Sequence, residues 1–162
     1  MKATCALLGA VLVAGCGSSR IENGVFYSPK GYQVSLPRQG WAIKPGGAAE
    51  LELARQDPAG GMLADATCDD KTAGRPLAVL SRHLTFGIQG KEVLEREDLT
   101  VAGHHAFRML FEGRLDGAPV QVEAYVVKGA ECVYDLIYVA PPAEFAAGTA
   151  DFRALVSSFT GP

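Results

Sequence analysis

Asp116-Gly117-Ala118-Pro119-Val120-Gln121-Val122-Glu123-Ala124-Tyr125-Val126 reads as a turn running into a strand. Asp-Gly favours a two-residue hairpin. Val120, Val122, Ala124 and Val126 then alternate with Gln121, Glu123 and Tyr125, and a period of two puts each set on its own face. Upstream, Phe107, Met109 and Phe111 share a face, with Arg108 and Glu112 on the other. Downstream, Lys128-Gly129-Ala130-Glu131 turns the chain into the mostly apolar run Cys132 to Val139. That run suits the centre of a sheet, and Pro141-Pro142 ends it. Strands joined by hairpin-length turns predict a mainly antiparallel sheet.

The N-terminal half follows the same pattern. Phe26-Tyr27 is a brief strand and Ser28-Pro29-Lys30-Gly31 a turn. Tyr32, Val34 and Leu36 alternate with Gln33 and Ser35. Gly40-Trp41-Ala42-Ile43 follows a turn, and Leu51 and Leu53 alternate with Glu50 and Glu52. Asp57-Pro58-Ala59-Gly60-Gly61 turns the chain toward an antiparallel partner, Met62 to Cys68. Asp69 to Gly74 reads as a polar loop. Arg75-Pro76 then opens a helix whose stripe is Leu77, Leu80, Leu84 and Ile88, with Gly90 ending it. Val93-Leu94 and Leu99-Val101 flank the charged stretch Glu95-Arg96-Glu97-Asp98. Thr149 is placed to cap a last helix carrying Phe152, Leu155, Val156 and Phe159. The expected class is α+β, a mainly antiparallel sheet with helices packed on it.

Length and composition bound the answer. The 162 residues suit one globular domain. With 48% apolar and 20% charged residues, disorder is excluded. A net charge of −3 and the lack of a Lys/Arg cluster argue against nucleic acid as a partner. Met1-Lys2, an apolar run from Ala6 to Ala14, and Ala14-Gly15 before Cys16 describe a secretory leader too short for a membrane span. Leu12-Val13-Ala14-Gly15-Cys16 looks like a bacterial lipobox. On that reading residues 1–15 are a signal peptide, Cys16 carries the lipid, 16–24 is a tether, and 25–162 is the domain. Two or more acyl chains anchor a protein stably to a membrane. Gly17 rather than Asp after Cys16 resembles outer-membrane sorting, facing the periplasm.

Cys5 falls in the leader, which leaves Cys68 and Cys132 as an even pair in a compartment that permits disulfides. A bridge is the preferred reading; two separate buried thiols are the other.

The order of features resembles the PsbP-like fold. The residues that carry this are Gly31-Tyr32-Gln33-Val34-Ser35-Leu36-Pro37 with Gly40-Trp41, then Leu99-Thr100-Val101-Ala102-Gly103-His104-His105-Ala106. Tyr134-Asp135-Leu136-Ile137-Tyr138 and Val156-Ser157-Ser158-Phe159 complete the match. The resemblance implies an α-β-α sandwich around an antiparallel sheet. It brings no catalytic residues, since that group is best known for binding and scaffolding.

No residue set predicts catalysis. There is no Gly-x-Ser-x-Gly elbow, no P-loop and no Gly-x-Gly-x-x-Gly in the mature part. His104 and His105 are adjacent on a strand and point to opposite faces, and with His83 they make no zinc spacing. Asp69-Asp70 and Glu95-Glu97-Asp98 match no calcium loop. Tyr134 and Tyr138 share a face with Cys132 and Leu136, as core or as the lining of a groove. The expectation is therefore a membrane-anchored envelope lipoprotein without catalytic residue, metal or cofactor. It binds a protein partner or helps assemble a complex. The alternative is a small-molecule or lipid binder with a pocket between sheet and helix.

Overall fold

The computed structural model describes residues 18–84 and 87–162, with nothing stated of the Asp70 and His83 side chains. The leader and the lipid site Cys16 lie outside these residues. A small antiparallel sheet comes first: β1 (Arg20–Glu22), β2 (Val25–Tyr27) and β3 (Gln33–Ser35). The main sheet has seven strands, β4 (Ala42–Ile43), β5 (Leu51–Gln56), β6 (Ala59–Thr67), β7 (Gln89–Val101), β8 (His104–Leu115), β9 (Ala118–Lys128) and β10 (Val133–Ala140). Their spatial order is β4-β5-β6-β10-β9-β8-β7, antiparallel throughout, and β10 is central as its apolar run predicts.

Among the described residues there are also three helices: α1 (Asp70–Ala73), α2 (Leu77–His83) and α3 (Ala146–Ser157). Strand parity separates two cores. On one face Tyr125, Val127, Tyr134, Leu136 and Tyr138 pack with Phe152, Leu155, Val156 and Phe159 from α3 and its end. Phe26 and Val34 of the small sheet, with Tyr32 just before β3, close this core from the side. On the other face Leu77 and Leu80 of α2 pack on Val126 and Val133. Met109, Phe111, Val120, Val122 and Ala124 continue that layer. The sheet thus carries helices on both faces, the layering that the resemblance implies.

Two-residue turns set the registers. Asp116 and Gly117 both have positive φ, 50° and 83°, the conformation that makes Asp-Gly a tight hairpin. Ala102-Gly103 and Asn23-Gly24 do the same, at 51° and 84° and at 51° and 76°.

Three local expectations are corrected. The segment 16–24, expected as a tether, contains β1, which pairs with β2 across the Asn23-Gly24 turn. The helix expected to run through Ile88 to Gly90 is shorter. α2 ends at His83, Gly87 sits at φ 84°, and Gly90 lies in β7. Leu84 and Ile88 are half-buried against the apolar layer although they lie beyond the helix. Thr149 does not cap α3. It lies inside the helix and its hydroxyl donates to the Phe145 carbonyl at 3.0 Å.

Candidate functional site

The face under α2 holds the most suggestive cavity. α2 is seven residues long and covers only part of the sheet. A cleft of about 390 Å³ opens between it and the β7–β8 hairpin. Its floor is Phe107, Met109 and Phe111 from β8. Met109 and Phe111 are buried, while Phe107 is half-buried. Ala78 and Ser81 of α2 form one wall, and Val93 of β7 the other. The register pairs Val93 with Phe111 and Arg96 with Met109, which sets both β7 side chains on the floor's face. Two register shifts, at Gln89/Glu92 and Val93/Glu95, bend this edge strand locally. Arg82, Lys91 and Arg96 complete the lining, so the cleft has an apolar floor and cationic groups around it. A larger groove of about 540 Å³ beside α3 is lined mainly by the loop Leu36 to Gln39 and lacks such a floor.

The opposite face holds a buried charge cluster. Glu123, on β9, is fully buried. Its Oε1 accepts from Arg108 Nε at 2.6 Å, from Arg153 Nε at 3.2 Å and from the Tyr125 hydroxyl at 3.3 Å. Arg108 also reaches Glu95 at 2.6 Å and Glu97 at 3.8 Å. Burial disfavours the Arg108 charge, but the bonds to Glu95 and Glu123 outweigh this and hold its pKa above the ordinary arginine value. The cluster ties β7, β8, β9 and α3 together. It is closed on itself and offers no reacting position.

Asp135 is the one carboxyl strongly shifted upward among the described residues, to about 7, by burial first and then by the neighbouring Asp65. The two are directly paired across β6 and β10. Asp135 lines a pocket of about 240 Å³ with Arg75 and Thr72.

The sequence candidates are placed as follows. Cys68 and Cys132 are joined in a disulfide, with Cα atoms 4.1 Å apart, linking the end of β6 to the start of β10. His104 Nε2 lies 3.1 Å from the Gly161 carbonyl oxygen, and His105 Nε2 lies 3.4 Å from Asp98 on the exposed side. Among the described residues no group of three or more His, Cys, Asp or Glu is placed to hold a metal ion. Glu95 and Glu97 pair with Arg108 instead, and Asp98 lies beside His105. Asp69 accepts from the Thr72 amide at 2.8 Å, and these hydrogen bonds hold its carboxyl below the usual range. Tyr134 and Tyr138 are fully buried core residues, and the Tyr138 hydroxyl donates to the Phe145 carbonyl at 2.9 Å. Trp41 packs at the core edge, donating to Asp151 at 2.9 Å beneath the Arg55 guanidinium. The Arg108–Glu123 cluster was not expected from the sequence. Its signal is the single acid of β9, at the same parity as Tyr125.

The sequence matches no protein-family profile and no curated protein. Solved structures do match in fold. LpqN of Mycobacterium tuberculosis, described as involved in cell envelope biogenesis, superposes with a TM-score of 0.62 at 15% identity over 81% of this chain and 83% of that one. The cyanobacterial PsbP of Synechocystis gives 0.62 at 13% identity over 96% and 99%. A Pseudomonas aeruginosa protein of unknown function gives 0.53 at 13% identity over 91% and 99%. The fold is therefore PsbP-like.

Proposed function

We propose that this protein is a non-enzymatic binding module of the bacterial cell envelope, held on a membrane through lipid on Cys16, and that it works through the cleft beneath α2. The single observation that carries the binding reading is the cleft itself, about 390 Å³ with apolar and charged residues in its lining, within the range of about 300–1,000 Å³ usual for small-molecule sites. The envelope reading draws on the lipobox at Leu12 to Cys16, on the disulfide, and on the envelope role described for LpqN. Gly17 favours the outer membrane, periplasmic side. Native mass spectrometry of the protein taken from its own membranes tests the binding reading. A non-covalent small ligand on the wild type, absent from an Ala78→Trp variant that fills the cleft, is the expected result. Two bare proteins would defeat it. Mass analysis of the N-terminal peptide tests the anchor, which predicts acyl groups on Cys16 and none in Cys16→Ser.

A second reading, a protein-docking or assembly surface, is favoured by one feature. Beyond α2 the same sheet face stays uncovered, where half-buried Leu63, Ile137 and Val139 line a depression of about 350 Å³ with Lys44 and Glu52 at its edge. Cross-linking in native membranes, with Leu63→Asp as control, distinguishes a captured envelope partner from a bare monomer.

A further inference from the structure

We infer that the face where β1 and β4 come together lies on the bilayer that holds the Cys16 lipid, with Ile21 and Ile43 dipping among the headgroups; this rests on the anchored reading above. The first observation is how little chain separates lipid from fold. Gly17, Ser18 and Ser19 alone stand between Cys16 and Arg20, where β1 begins. At about 3.3–3.6 Å per residue, that stretch spans at most about 14 Å. A body of this size has a radius of gyration of about 15 Å, so it cannot turn its far side to the bilayer. The second observation is what the near side offers. Ile21 and Ile43 are 44% and 48% exposed and line one depression of about 230 Å³. Each belongs to an edge strand, β1 of the small sheet and β4 of the main sheet.

The depression is smaller than the about 300 Å³ at which small-molecule sites begin, so contact with a surface suits it better than enclosure of a ligand. Its charges are of both signs. Arg20 lies 3.8 Å from Glu22, both exposed, and Lys44 and Glu52 stand in the same lining. Glu50 is turned inward and accepts from the Ser28 hydroxyl at 2.9 Å. The attraction therefore comes from apolar burial at the boundary of headgroups and acyl chains, not from anionic lipid. Strand order supplies the orientation. β4 and β7 are opposite edges of the main sheet, six strand spacings of about 4.8 Å apart, or about 29 Å. With β4 against the bilayer, the cleft beside β7 and β8 opens on the aqueous side.

The test is spin labelling of the mature lipoprotein, its acyl groups on Cys16 checked by mass, in vesicles of phosphatidylcholine, which carry no net surface charge. Cys68 and Cys132 are bonded and Cys16 carries the lipid, so a single introduced cysteine takes the label. The sites are Ile21→Cys, Ile43→Cys and, as control, Leu94→Cys, whose parent residue is 44% exposed on β7. All three positions are exposed, so each variant should keep its fold, with its melting curve as the check. On vesicles the labels at positions 21 and 43 should lose most of their relaxation by a water-soluble nickel chelate and gain relaxation by dissolved oxygen. The label at position 94 should change in neither. Adding Ile21→Glu should return the label at position 43 to water while the acyl chains keep the protein on the vesicle. If the acylated protein sits on vesicles with the labels at 21 and 43 as wet as that at 94, the inference falls and the anchor stands. Labels at 21 and 43 that are already dry in Cys16→Ser protein without vesicles would show a second copy on this face, which also overturns it. Absence of acyl groups from Cys16 removes the anchored reading and this inference with it.

Discussion

Removing Glu123 should destabilise the fold far more than an average surface change, and the structure says by how much. In Glu123→Leu the fully buried carboxylate is lost, and Arg108, whose side chain is 9% exposed, loses its 2.6 Å Nε partner. Truncating one member of a buried pair typically costs about 3–5 kcal/mol, because the remaining charge stays desolvated. Arg108 keeps Glu95 at 2.6 Å, but that carboxylate is 56% exposed and compensates only in part. Arg153 is 54% exposed, so its contact with Glu123 contributes about 0.2–1 kcal/mol at most. The expected cost of Glu123→Leu is therefore about 3 kcal/mol.

The double variant Arg108→Met with Glu123→Leu removes both buried charges and puts apolar groups of similar volume in their place. Its expected cost is about 1 kcal/mol, well below the sum of the single changes. Urea unfolding at neutral pH of the wild type, Glu123→Leu, Arg108→Met and the double variant, with unchanged m-values, measures the cycle. A Glu123→Leu cost under about 1 kcal/mol, or a double variant as unstable as the two singles added, would refute the view that desolvated charge dominates this cluster.

Four further outcomes are expected. Gly148→Ala should destabilise by about 1–2 kcal/mol in thermal unfolding although Ala is the better helix former, because the new Cβ would lie 2.3 Å from the buried Tyr138 hydroxyl oxygen. Ala102→Asn should stabilise by about 0.5–1 kcal/mol on the same assay, since Ala102 holds φ 51° in a turn that favours Asn before Gly. Asp135 has its folded pKa raised from 3.8 to about 7, so the folded state binds the extra proton and stability falls as pH rises through that window. Asp135→Asn should thus stabilise by about 2 kcal/mol at pH 8, allowing for its partial exposure, and by little at pH 4; melting curves at both values check this. Reducing Cys68–Cys132, 64 positions apart, should cost about 4 kcal/mol in the chain-entropy account, read as a lower urea midpoint in dithiothreitol, and an unchanged midpoint would count against it.

The C-terminal half was legible because its signals agree with one another. Asp116-Gly117, the alternation of Val120 to Val126, and the apolar Cys132 to Val139 all point to hairpins around a central strand, and β8, β9 and β10 follow. Asn23-Gly24 carries the same turn signal, yet the polar residues around it read as tether, and β1 is too short and exposed to betray itself by periodicity. Leu84 and Ile88 keep helical spacing after the helix has ended, so the stripe alone overstates α2. Alternation also hides what covers each face. Gln121, Glu123 and Tyr125 look like a solvent side, but α3 lies over that face and Glu123 and Tyr125 are buried. The cleft was anticipated only as a place between helix and sheet. Its cations come from separate elements, and bulges in β7 shift their parity, so no spacing rule brings Arg82, Lys91 and Arg96 together.

The two faces of the sheet are finished to different degrees, and this bears on where function can reside. Under α3 the aromatic rings interlock: Tyr134 and Phe159 lie 5.0 Å apart, Tyr138 and Phe145 4.8 Å, and Tyr138 and Phe152 5.7 Å. Gly148 and Gly161 have no room there even for a methyl group. Such packing resists any ligand, because insertion would displace several side chains together. Under α2 the helix is short, the apolar layer continues past it, and the edge strand beside it is irregular and exposed. A ligand there covers surface that the fold leaves open, without disturbing the α3 core or the disulfide. Substitutions should therefore separate by face. Those at the exposed wall positions Ala78 and Val93 change binding with small effects on melting, whereas those under α3 change melting and leave the affinity of the remaining folded protein intact. A cleft variant that unfolds the protein, paired with an α3-core variant that selectively abolishes binding, would reverse this assignment.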